Sequence, residues 1–184
     1  MSQQELESLL ASDVLTVAEN LLGWTLRSEI EGISAAVTIT ETEAYAGSDD
    51  PASHAFRGAT PRNSAMFGRS GTLYVYRSYG IHWCMNVVVG EEGVPHAVLL
   101  RGGDPTEGVE AMMERRGRRS NLVDGPGKLC QALGVTHAQN GTDLRCGSLR
   151  LHPGPGLAGR AIAATPRVGI SKAVERPWRF VVVG

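Results

Sequence analysis

The chain has 184 residues, of which 42% are hydrophobic and 20% are charged, and its formal net charge is −1. No apolar run approaches the roughly 18–20 residues that cross a bilayer, which argues against a membrane-spanning protein. The three cysteines show no paired spacing, so we expect reduced thiols in a cytosolic compartment and not a disulfide framework. The polar, acidic start MSQQELESLL predicts no signal peptide.

The charges are unevenly distributed along the chain. Residues 1–50 carry a net charge of −9, residues 51–149 carry +3 and residues 150–184 carry +5. Such a division can place a basic face on a molecule whose total charge is near zero, as a nucleic-acid partner would require. On charge alone, an ordinary solvated surface explains the pattern equally well.

The first third of the chain predicts a helix followed by two strands. Residues 12–22 have helical spacing of apolar side chains, with Ser12 as the expected N-cap. Residues 24–31 and 34–45 alternate as strands do, and Gly32 lies in the connection between them.

The middle of the chain predicts a long loop and a β-hairpin. Residues 46–71 are rich in Gly, Ser, Pro and Arg and lack periodicity, and a loop of that length in a compact domain is usually functional or disordered. Residues 72–89 are predicted to form a hairpin with Gly80 near its turn, and residues 96–101 a further strand.

The last third predicts two helices and three short strands. Asp104, Pro105 and Glu107 have the pattern of an N-cap, N1 and N3, so a helix is expected to run from there to about Arg116. A second short helix is predicted over residues 129–133, after the sequence GPGK. Short strands are predicted over residues 148–152, 160–164 and 178–183. Together these elements indicate one α+β domain over residues 1–184, built on a largely antiparallel sheet.

The strand VTITETEAY contains the first candidates for chemistry. Alternation predicts that Val37, Ile39, Glu41, Glu43 and Tyr45 share one face, which begins apolar and becomes carboxylic. A buried carboxylate is costly unless it is hydrogen-bonded or used. Glu41 and Glu43 are therefore candidate acid/base groups, and their spacing does not choose between them.

Metal chemistry is the competing interpretation of these acids. Asp49 and Asp50 follow closely, and together with the two glutamates they could hold a divalent cation in a phosphoesterase. The five histidines and three cysteines show no zinc-binding spacing. The sequence shows local clustering only, and we expect no metal and no cofactor.

The hairpin TLYVYRSYGIHWCMN holds three of the four tyrosines. Tyr74 and Tyr76 are predicted to share one face, and core packing is the simplest role for Tyr74. Tyr79 lies beside Gly80 at the turn, where side chains are normally exposed. A rigid, exposed aromatic ring there is suited to stacking on bases or wedging between them.

Taken in order, these motifs resemble the alkyladenine (3-methyladenine) DNA glycosylase family of the methylpurine glycosylase type. The matching residues are ETEAY (41–45), His54, TPRN (60–63), MF (66–67), GTLYVYxxYG (71–80), CMN (84–86), VLLR (98–101), EG (107–108) and GPxKLCQAL (125–133). The resemblance covers essentially the whole chain and is densest from Ile39 to Leu133.

This resemblance implies a fold, an activity and a partner. It implies a curved, mostly antiparallel sheet flanked by helices, with a protruding hairpin that enters the DNA minor groove. The expected enzyme is a monomeric base-excision repair glycosylase that flips 3-methyladenine and other alkylpurines out of double-stranded DNA, with hypoxanthine and ethenoadenine as further candidate substrates. It would hydrolyse the N-glycosidic bond without a strand-cleaving lyase step, in the cytoplasm (the prokaryotic nucleoid) or in a nucleus, and not at a membrane.

The resemblance also assigns roles to individual residues. Glu43 matches the general base, and Arg101 matches an arginine that helps to position the catalytic water. The base pocket is assigned to Tyr45, His54, Tyr76 and Asn86, with Asn86 associated with the exclusion of guanine. Tyr79 matches the intercalating wedge. Lys128 is expected to bind backbone carbonyls or DNA phosphate near a helix start, and Glu41 and Trp83 receive no role.

Two alternatives remain at this point. A non-catalytic damage-binding protein could use the same pocket and wedge, although binding alone requires neither Glu43 nor Arg101. A metal-dependent phosphoesterase would use the acids between residues 41 and 50, and it would be sensitive to chelators.

Overall fold

A computed structural model describes residues 3–184 of the chain. These residues form four α-helices, three short 3-10 helices and eight β-strands. The α-helices are α1 (Gln3–Leu10), α2 (Val14–Asn20), α3 (Val109–Arg116) and α4 (Pro126–Leu133). The strands are β1 (Thr25–Ile30), β2 (Ile33–Ala46), β3 (Leu73–Ser78), β4 (His82–Val89), β5 (His96–Glu107), β6 (Leu149–His152), β7 (Ala161–Thr165) and β8 (Arg179–Val183). The 3-10 helices are Gly47–Asp49, Ser64–Phe67 and His137–Gln139.

The strands form one curled antiparallel sheet, which confirms the predicted α+β class. Its main order is β3-β4-β5-β2-β1-β6, and β8 pairs with both β2 and β7. The 14-residue β2 is the centre of this arrangement because it pairs with β5, β1 and β8. These partners pair along the edges of β2, and its side chains point to the two faces of the sheet. One face packs on a core and the other borders a cleft.

The two faces of the sheet are covered differently. The larger core includes residues of all four helices, such as Leu10, Val17, Met112 and Leu129. A smaller cluster formed by Ala55, Met66, Tyr74, Val88 and Ala97 packs under the loop that precedes β3. The predicted long loop therefore packs on the sheet and covers it where the helices do not.

Two β-bulges interrupt the pairing of β2 with β5 on either side of Glu41. Ile39 pairs with Gly103 and Glu41 with Gly102, which leaves Thr40 as an extra residue in β2. Glu41 and Thr42 then pair with Gly102 and Leu100, which leaves Arg101 as an extra residue in β5. Bulges of this kind redirect side chains and are frequent near active sites.

The predicted single face from Val37 to Tyr45 is therefore wrong. Ile39 packs in the main core, and beyond the bulge Thr42 and Ala44 take over that side: the Thr42 hydroxyl donates to the Ala18 carbonyl of α2 at 2.6 Å. Glu43 accordingly lies on the opposite face of the sheet from Ile39. The carboxylates do not continue a core-facing row, because one inserted residue reverses the parity of a strand.

Several element boundaries differ from the predictions. Asp104 and Pro105 do not begin a helix, because β2 is long enough to extend β5 through Glu107. Pro105, opposite Val37, is tolerated beside a register shift, where the ladder is already interrupted. The helix begins only after Gly108, whose φ of 69° turns the chain out of the strand.

The N-terminal part also departs from expectation. The segment MSQQELESLL contains α1, which the sequence did not predict, and its first two residues lie outside the described part of the chain. Asp13 caps α2 by accepting from the Leu15 and Thr16 amides, whereas the Ser12 hydroxyl donates to Ser8 of α1. Helix α4 begins at Pro126, earlier than predicted. The predicted β1, β2, β3–β4 hairpin and three C-terminal strands are confirmed.

Across residues 3–184, none of the helices combines the length and the apolar character needed to cross a membrane.

Candidate active site

A cleft of about 600 Å³ opens on the side of the sheet that carries the smaller cluster. Three segments form its walls: the loop after β2, the β3–β4 hairpin and the loop between β7 and β8. Six of the seven predicted site residues line it directly: Tyr45, His54, Tyr76, Tyr79, Asn86 and Arg101. The fold therefore brings together residues that are up to 56 positions apart in the sequence.

The seventh predicted residue, Glu43, lies immediately behind the cleft wall with no exposed surface. Its Oε1 accepts a hydrogen bond from the Val168 amide at 2.7 Å, and its Oε2 accepts one from the Tyr45 hydroxyl at 2.8 Å. Arg101 Nη1 lies 3.3 Å from Oε1. The two hydrogen-bond donors and the ion-pair partner all belong to residues that line the cleft, so the carboxylate is fixed in orientation at the cleft boundary.

Arg101 belongs to a chain of alternating charges that extends away from Glu43. Its Nε donates to Glu41 Oε1 at 2.8 Å, and Arg179 Nε on β8 donates to the same oxygen at 2.6 Å. Burial opposes ionisation of Glu41, but the hydrogen bonds from Arg179 and Arg101 lower its pKa below the ordinary value. Glu41 is therefore an ionised partner of two arginines.

Three aromatic side chains form the inner surface of the cleft. The Tyr76 ring stacks on the Tyr74 ring with centroids 5.6 Å apart, and the His54 ring meets Tyr76 edge-on at 4.4 Å. Tyr45 is half-buried, and burial followed by the charge of Glu43 raises its pKa well above the ordinary value. Its hydroxyl therefore remains protonated and acts as a donor to Glu43.

Tyr74 contributes more than the predicted core packing. It is buried in the smaller cluster, and its hydroxyl lies 3.1 Å from His54 Nδ1. Burial raises the pKa of Tyr74 to about 12, so the phenol is protonated at neutral pH. Desolvation, with the charge of Arg62 as a second cause, lowers the pKa of His54. The tautomer of the His54 imidazole decides which of the two groups donates in this contact.

Asn86 is buried and lies in β4 opposite Tyr74 of β3. Its Nδ2 donates to the Tyr74 carbonyl at 3.2 Å, and the residue also lines the cleft. Asn86 therefore bonds neighbouring backbone and borders the cleft at the same time. The hydrogen bond fixes the amide against the strand at the cleft edge.

The hairpin tip has the exposure predicted for a wedge. Ser78 pairs with His82, so residues 79–81 form the turn, and Tyr79 is 88% exposed. Its φ of 49° is left-handed, which is uncommon for a residue other than glycine. Ile81, at 66% exposure, adds a second apolar side chain to the tip.

Two residues that lacked a settled role lie outside the cleft. Trp83 lies on the other face of the hairpin, where it packs against the main core and the Arg77 guanidinium stands 5.4 Å from its ring centroid. Lys128 forms an ion pair with Asp124 at 3.2 Å. Its predicted bond to backbone carbonyls is not among the described contacts, and contact with DNA phosphate remains a prediction.

The acids that could have formed a metal site are directed to arginines. Glu41 is paired with Arg101 and Arg179, and Asp50 forms a fully buried pair with Arg167. Within residues 3–184, no three His, Cys, Asp or Glu side chains converge as metal ligands would. The phosphoesterase hypothesis needs a metal cation beside these carboxylates. In the structure, arginine side chains occupy that place beside Glu41 and Asp50.

Sequence reasoning did not find three contributors to the site. The Val168 amide and the Asp50–Arg167 pair come from loops, and the Tyr74–His54 hydrogen bond joins residues 20 positions apart. Arg167 lies in TPRVG, a turn-like segment with no local signal. The sequence pattern indicates Asp50 only as a metal ligand of the phosphoesterase hypothesis.

Comparison with known proteins gives one consistent result. Residues 8–184 match the family model described as methylpurine-DNA glycosylase (MPG). A Rhodopseudomonas palustris (strain BisB18) protein, provisionally named 3-methyladenine DNA glycosylase, is 51% identical over 179 residues, which cover 96% of this chain and 86% of the relative. A protein of Methanoculleus marisnigri with the same provisional name is 48% identical over 177 residues, 94% of this chain and 91% of the relative. The chain is therefore a DNA glycosylase that belongs to the methylpurine-DNA glycosylase family.

Proposed function

We propose that this base-excision repair glycosylase flips 3-methyladenine and related alkylated purines out of duplex DNA and hydrolyses the N-glycosidic bond. The observation that carries the proposal is the buried Glu43 carboxylate, held by two hydrogen bonds and one ion pair at the wall of an aromatic cleft. A carboxylate fixed in this way can accept a proton from one water molecule without reorganising.

The reaction uses Glu43 as the general base. A water molecule attacks C1′ of the flipped nucleotide and gives its proton to Glu43 as the bond to the base breaks. The bonding electrons leave with the purine, and the product is an abasic site. Oε2 accepts one hydrogen bond from Tyr45 and keeps a second acceptor position for the water. Because Glu43 is fully buried, this water enters as cleft side chains adjust to the bound nucleotide.

The leaving group determines how many acids the reaction needs. Glycosidases usually employ two carboxylates, one of which protonates the leaving group. An N-alkylated purine already carries a positive charge and leaves as a neutral base, so one carboxylate is sufficient. Glu41 is ionised between Arg101 and Arg179 and is not available as an acid, which fits cationic substrates.

The cleft walls supply recognition. Tyr45 and Tyr76 offer flat surfaces for a purine, and aromatic stacking contributes roughly 1–3 kcal/mol per base. Asn86 is fixed against the Tyr74 carbonyl and lines the cleft, and its side-chain amide would collide there with the 2-amino group of guanine. Adenine derivatives lack this group, so the same contact rejects a normal base and admits alkylated adenines.

The hairpin tip supplies the wedge. Extruding a nucleotide costs a few kcal/mol, least when the base is damaged or mispaired. Tyr79 projects into solvent and can enter the minor groove to fill the space that the base leaves. The cationic side chains Arg62, Arg77 and Lys172 line the same cleft and complement the DNA phosphates.

We expect no lyase step. That step needs an amine nucleophile, and enzymes activate lysine by burial or by a neighbouring cation. Lys172 is exposed at the cleft and Lys128 is paired with Asp124. Incubation of abasic product with the enzyme should leave the strand intact. Cleavage that disappears in Lys172→Ala would refute the monofunctional assignment.

The decisive experiment is a single-turnover excision panel on duplexes that each carry one lesion, with the parent and Glu43→Gln compared. The parent should release 3-methyladenine with or without a chelator, and Glu43→Gln should be slower by at least about 100-fold. Equal rates would remove Glu43 as the base. Loss of parent activity on addition of chelator would favour the metal-dependent alternative.

A further inference from the structure

Asp50 and Arg167 form an ion pair with no exposed side-chain surface. Asp50 directly follows the Gly47–Asp49 turn at the end of β2, and Arg167 follows β7. Arg167 Nη2 donates to Asp50 Oδ1 at 2.8 Å, and Nη1 donates to Oδ2 at 2.5 Å. The pair therefore joins two loops that are separated by more than a hundred residues.

The guanidinium of Arg167 is fixed by more than this pair. Its Nη1 also donates to the Ala44 carbonyl at 2.9 Å, next to Glu43 in β2. The group stands 4.7 Å from the Tyr45 ring centroid and 5.1 Å from the Trp178 centroid. Its Nε is buried without a hydrogen-bond partner. The Arg167 guanidinium thus holds the Tyr45 ring in position. It does so although its Nε donor makes no hydrogen bond.

The carboxylate of Asp50 organises the other loop. Oδ2 accepts from the Ala46 amide at 3.3 Å and Oδ1 accepts from the Ala52 amide at 3.2 Å. These bonds shape the turn that leads into residues 51–54, which line the cleft and include His54. On the opposite wall, residues 168–172 begin directly after Arg167. One buried pair therefore fixes the starts of two cleft walls.

The two hydrogen bonds that hold Glu43 depend on this arrangement. Val168, the residue after Arg167, donates its amide to Oε1, and Tyr45, under the Arg167 guanidinium, donates its hydroxyl to Oε2. We propose that Asp50 and Arg167 are positioning residues, whose pairing sets the Val168 amide and the Tyr45 hydroxyl on the catalytic carboxylate. This inference rests on the function proposed above, because it takes Glu43 to be the base.

A purely structural role makes a different prediction. Buried ion pairs are weak evidence for stability, since well-packed apolar groups often do as well. If the pair only stabilises the fold, variants will melt earlier but each folded molecule will react at the parent rate. If it positions the donors, each folded molecule will react more slowly, because small displacements near a reacting group cost up to about 100-fold.

The test uses Arg167→Lys, which keeps the charge but loses the planar bidentate fork, and Asp50→Asn, which keeps the shape of the acid. Arg150→Lys is the matched control, since Arg150 pairs with Glu29 on the exposed surface at 2.7 Å. Single-turnover excision is measured at saturating enzyme and normalised to the fraction that binds a duplex with a tetrahydrofuran abasic analogue. Affinity for that duplex and the melting temperature are recorded in parallel.

Each positioning variant should react about 10- to 100-fold more slowly per binding-competent molecule, with affinity changed less than about threefold. The double variant should be no slower than the slower single variant, because both changes break one pair. Parent rates in both variants, or multiplicative losses in the double variant, would overturn the inference. A parent enzyme that releases no alkylpurine would instead refute the proposed function itself.

Discussion

Glu41 accepts the Nε hydrogen of Arg101 at 2.8 Å, which leaves Nη1 of the same guanidinium 3.3 Å from Glu43. The two glutamates, equivalent in the sequence pattern, are thus separated by an arginine. Glu43 accepts hydrogen bonds from the Tyr45 hydroxyl and the Val168 amide at the cleft wall. Glu41 lies between Arg101 and Arg179 and holds Arg101 in place.

This relationship predicts an indirect effect of Glu41. Glu41→Gln should slow single-turnover excision by about 10-fold. This loss is smaller than the roughly 100-fold or more that follows when an enzyme loses a donor that contacts the transition state directly. Arg101 would keep its charge but lose its ionic support. Glu29→Gln, which alters an exposed ion pair with Arg150, is the control and should react at the parent rate. A Glu41→Gln rate within twofold of the parent would show that Arg101 is held by other contacts.

The wedge can be tested without disturbing the fold. Tyr79 is 88% exposed, so Tyr79→Ala should change the free energy of unfolding by less than about 0.5 kcal/mol. Loss of stacking worth roughly 1–3 kcal/mol should slow excision from duplex DNA by about 5- to 150-fold. Tyr79→Phe keeps the ring and should remain close to the parent. If Tyr79→Ala excises from duplexes as fast as Tyr79→Phe, the ring is not the wedge.

The proposed exclusion of guanine by Asn86, called here the guanine filter, can be tested by substitution. Asn86→Ala removes the amide that is proposed to collide with the 2-amino group, so release of unmodified guanine from duplex DNA should rise above the parent background. Loss of the hydrogen bond to the Tyr74 carbonyl should cost about 1 kcal/mol of stability. Asn140→Ala is the matched control, because Asn140 also supports β3, through the Val75 amide, from outside the cleft. Guanine release that is unchanged in Asn86→Ala, or raised equally in the control, would contradict the filter.

The buried pair predicts a pH dependence of stability. Burial opposes ionisation of Asp50, but the hydrogen bond and charge of Arg167 lower its pKa below the ordinary 3.8. The folded chain therefore binds fewer protons there than the unfolded chain, so this stabilisation is complete above about pH 4 and is lost as the pH falls through the folded pKa. At pH 7, Asp50→Asn should be less stable than the parent by about 3 kcal/mol, since it leaves Arg167 buried and unpaired.

Urea unfolding between pH 7 and pH 3 measures this dependence. The free energy of unfolding of the parent should exceed that of Asp50→Asn by a constant amount down to about pH 4. Below that pH the difference between the two free energies should shrink. Asp104→Asn, at an exposed pair with Arg160, should follow the parent throughout. If the difference in the free energy of unfolding between the parent and Asp50→Asn instead grows in acid, the pKa of Asp50 is not lowered in the folded chain.

The hairpin and the motif residues were accessible from the sequence because they depend on short-range patterns. Alternation and Gly80 predicted β3, β4 and the exposed turn at Tyr79, and the structure confirms each. The failed helix start at Asp104 shows the limit of such patterns. An N-cap signal is local, whereas β5 extends through Glu107 because a long partner strand, β2, is available to pair with it.

The sequence by itself determined the family, the α+β class and seven candidate site residues. Tertiary structure alone decided how the two glutamates differ. The paired bulges at Thr40 and Arg101 exist only when β2 and β5 meet in register, and they turn Glu43 toward the cleft while Ile39 packs in the core. The Asp50–Arg167 pair likewise joins loops 117 residues apart. Register and long-range pairing depend on contacts between distant segments, which no local pattern of residue types encodes.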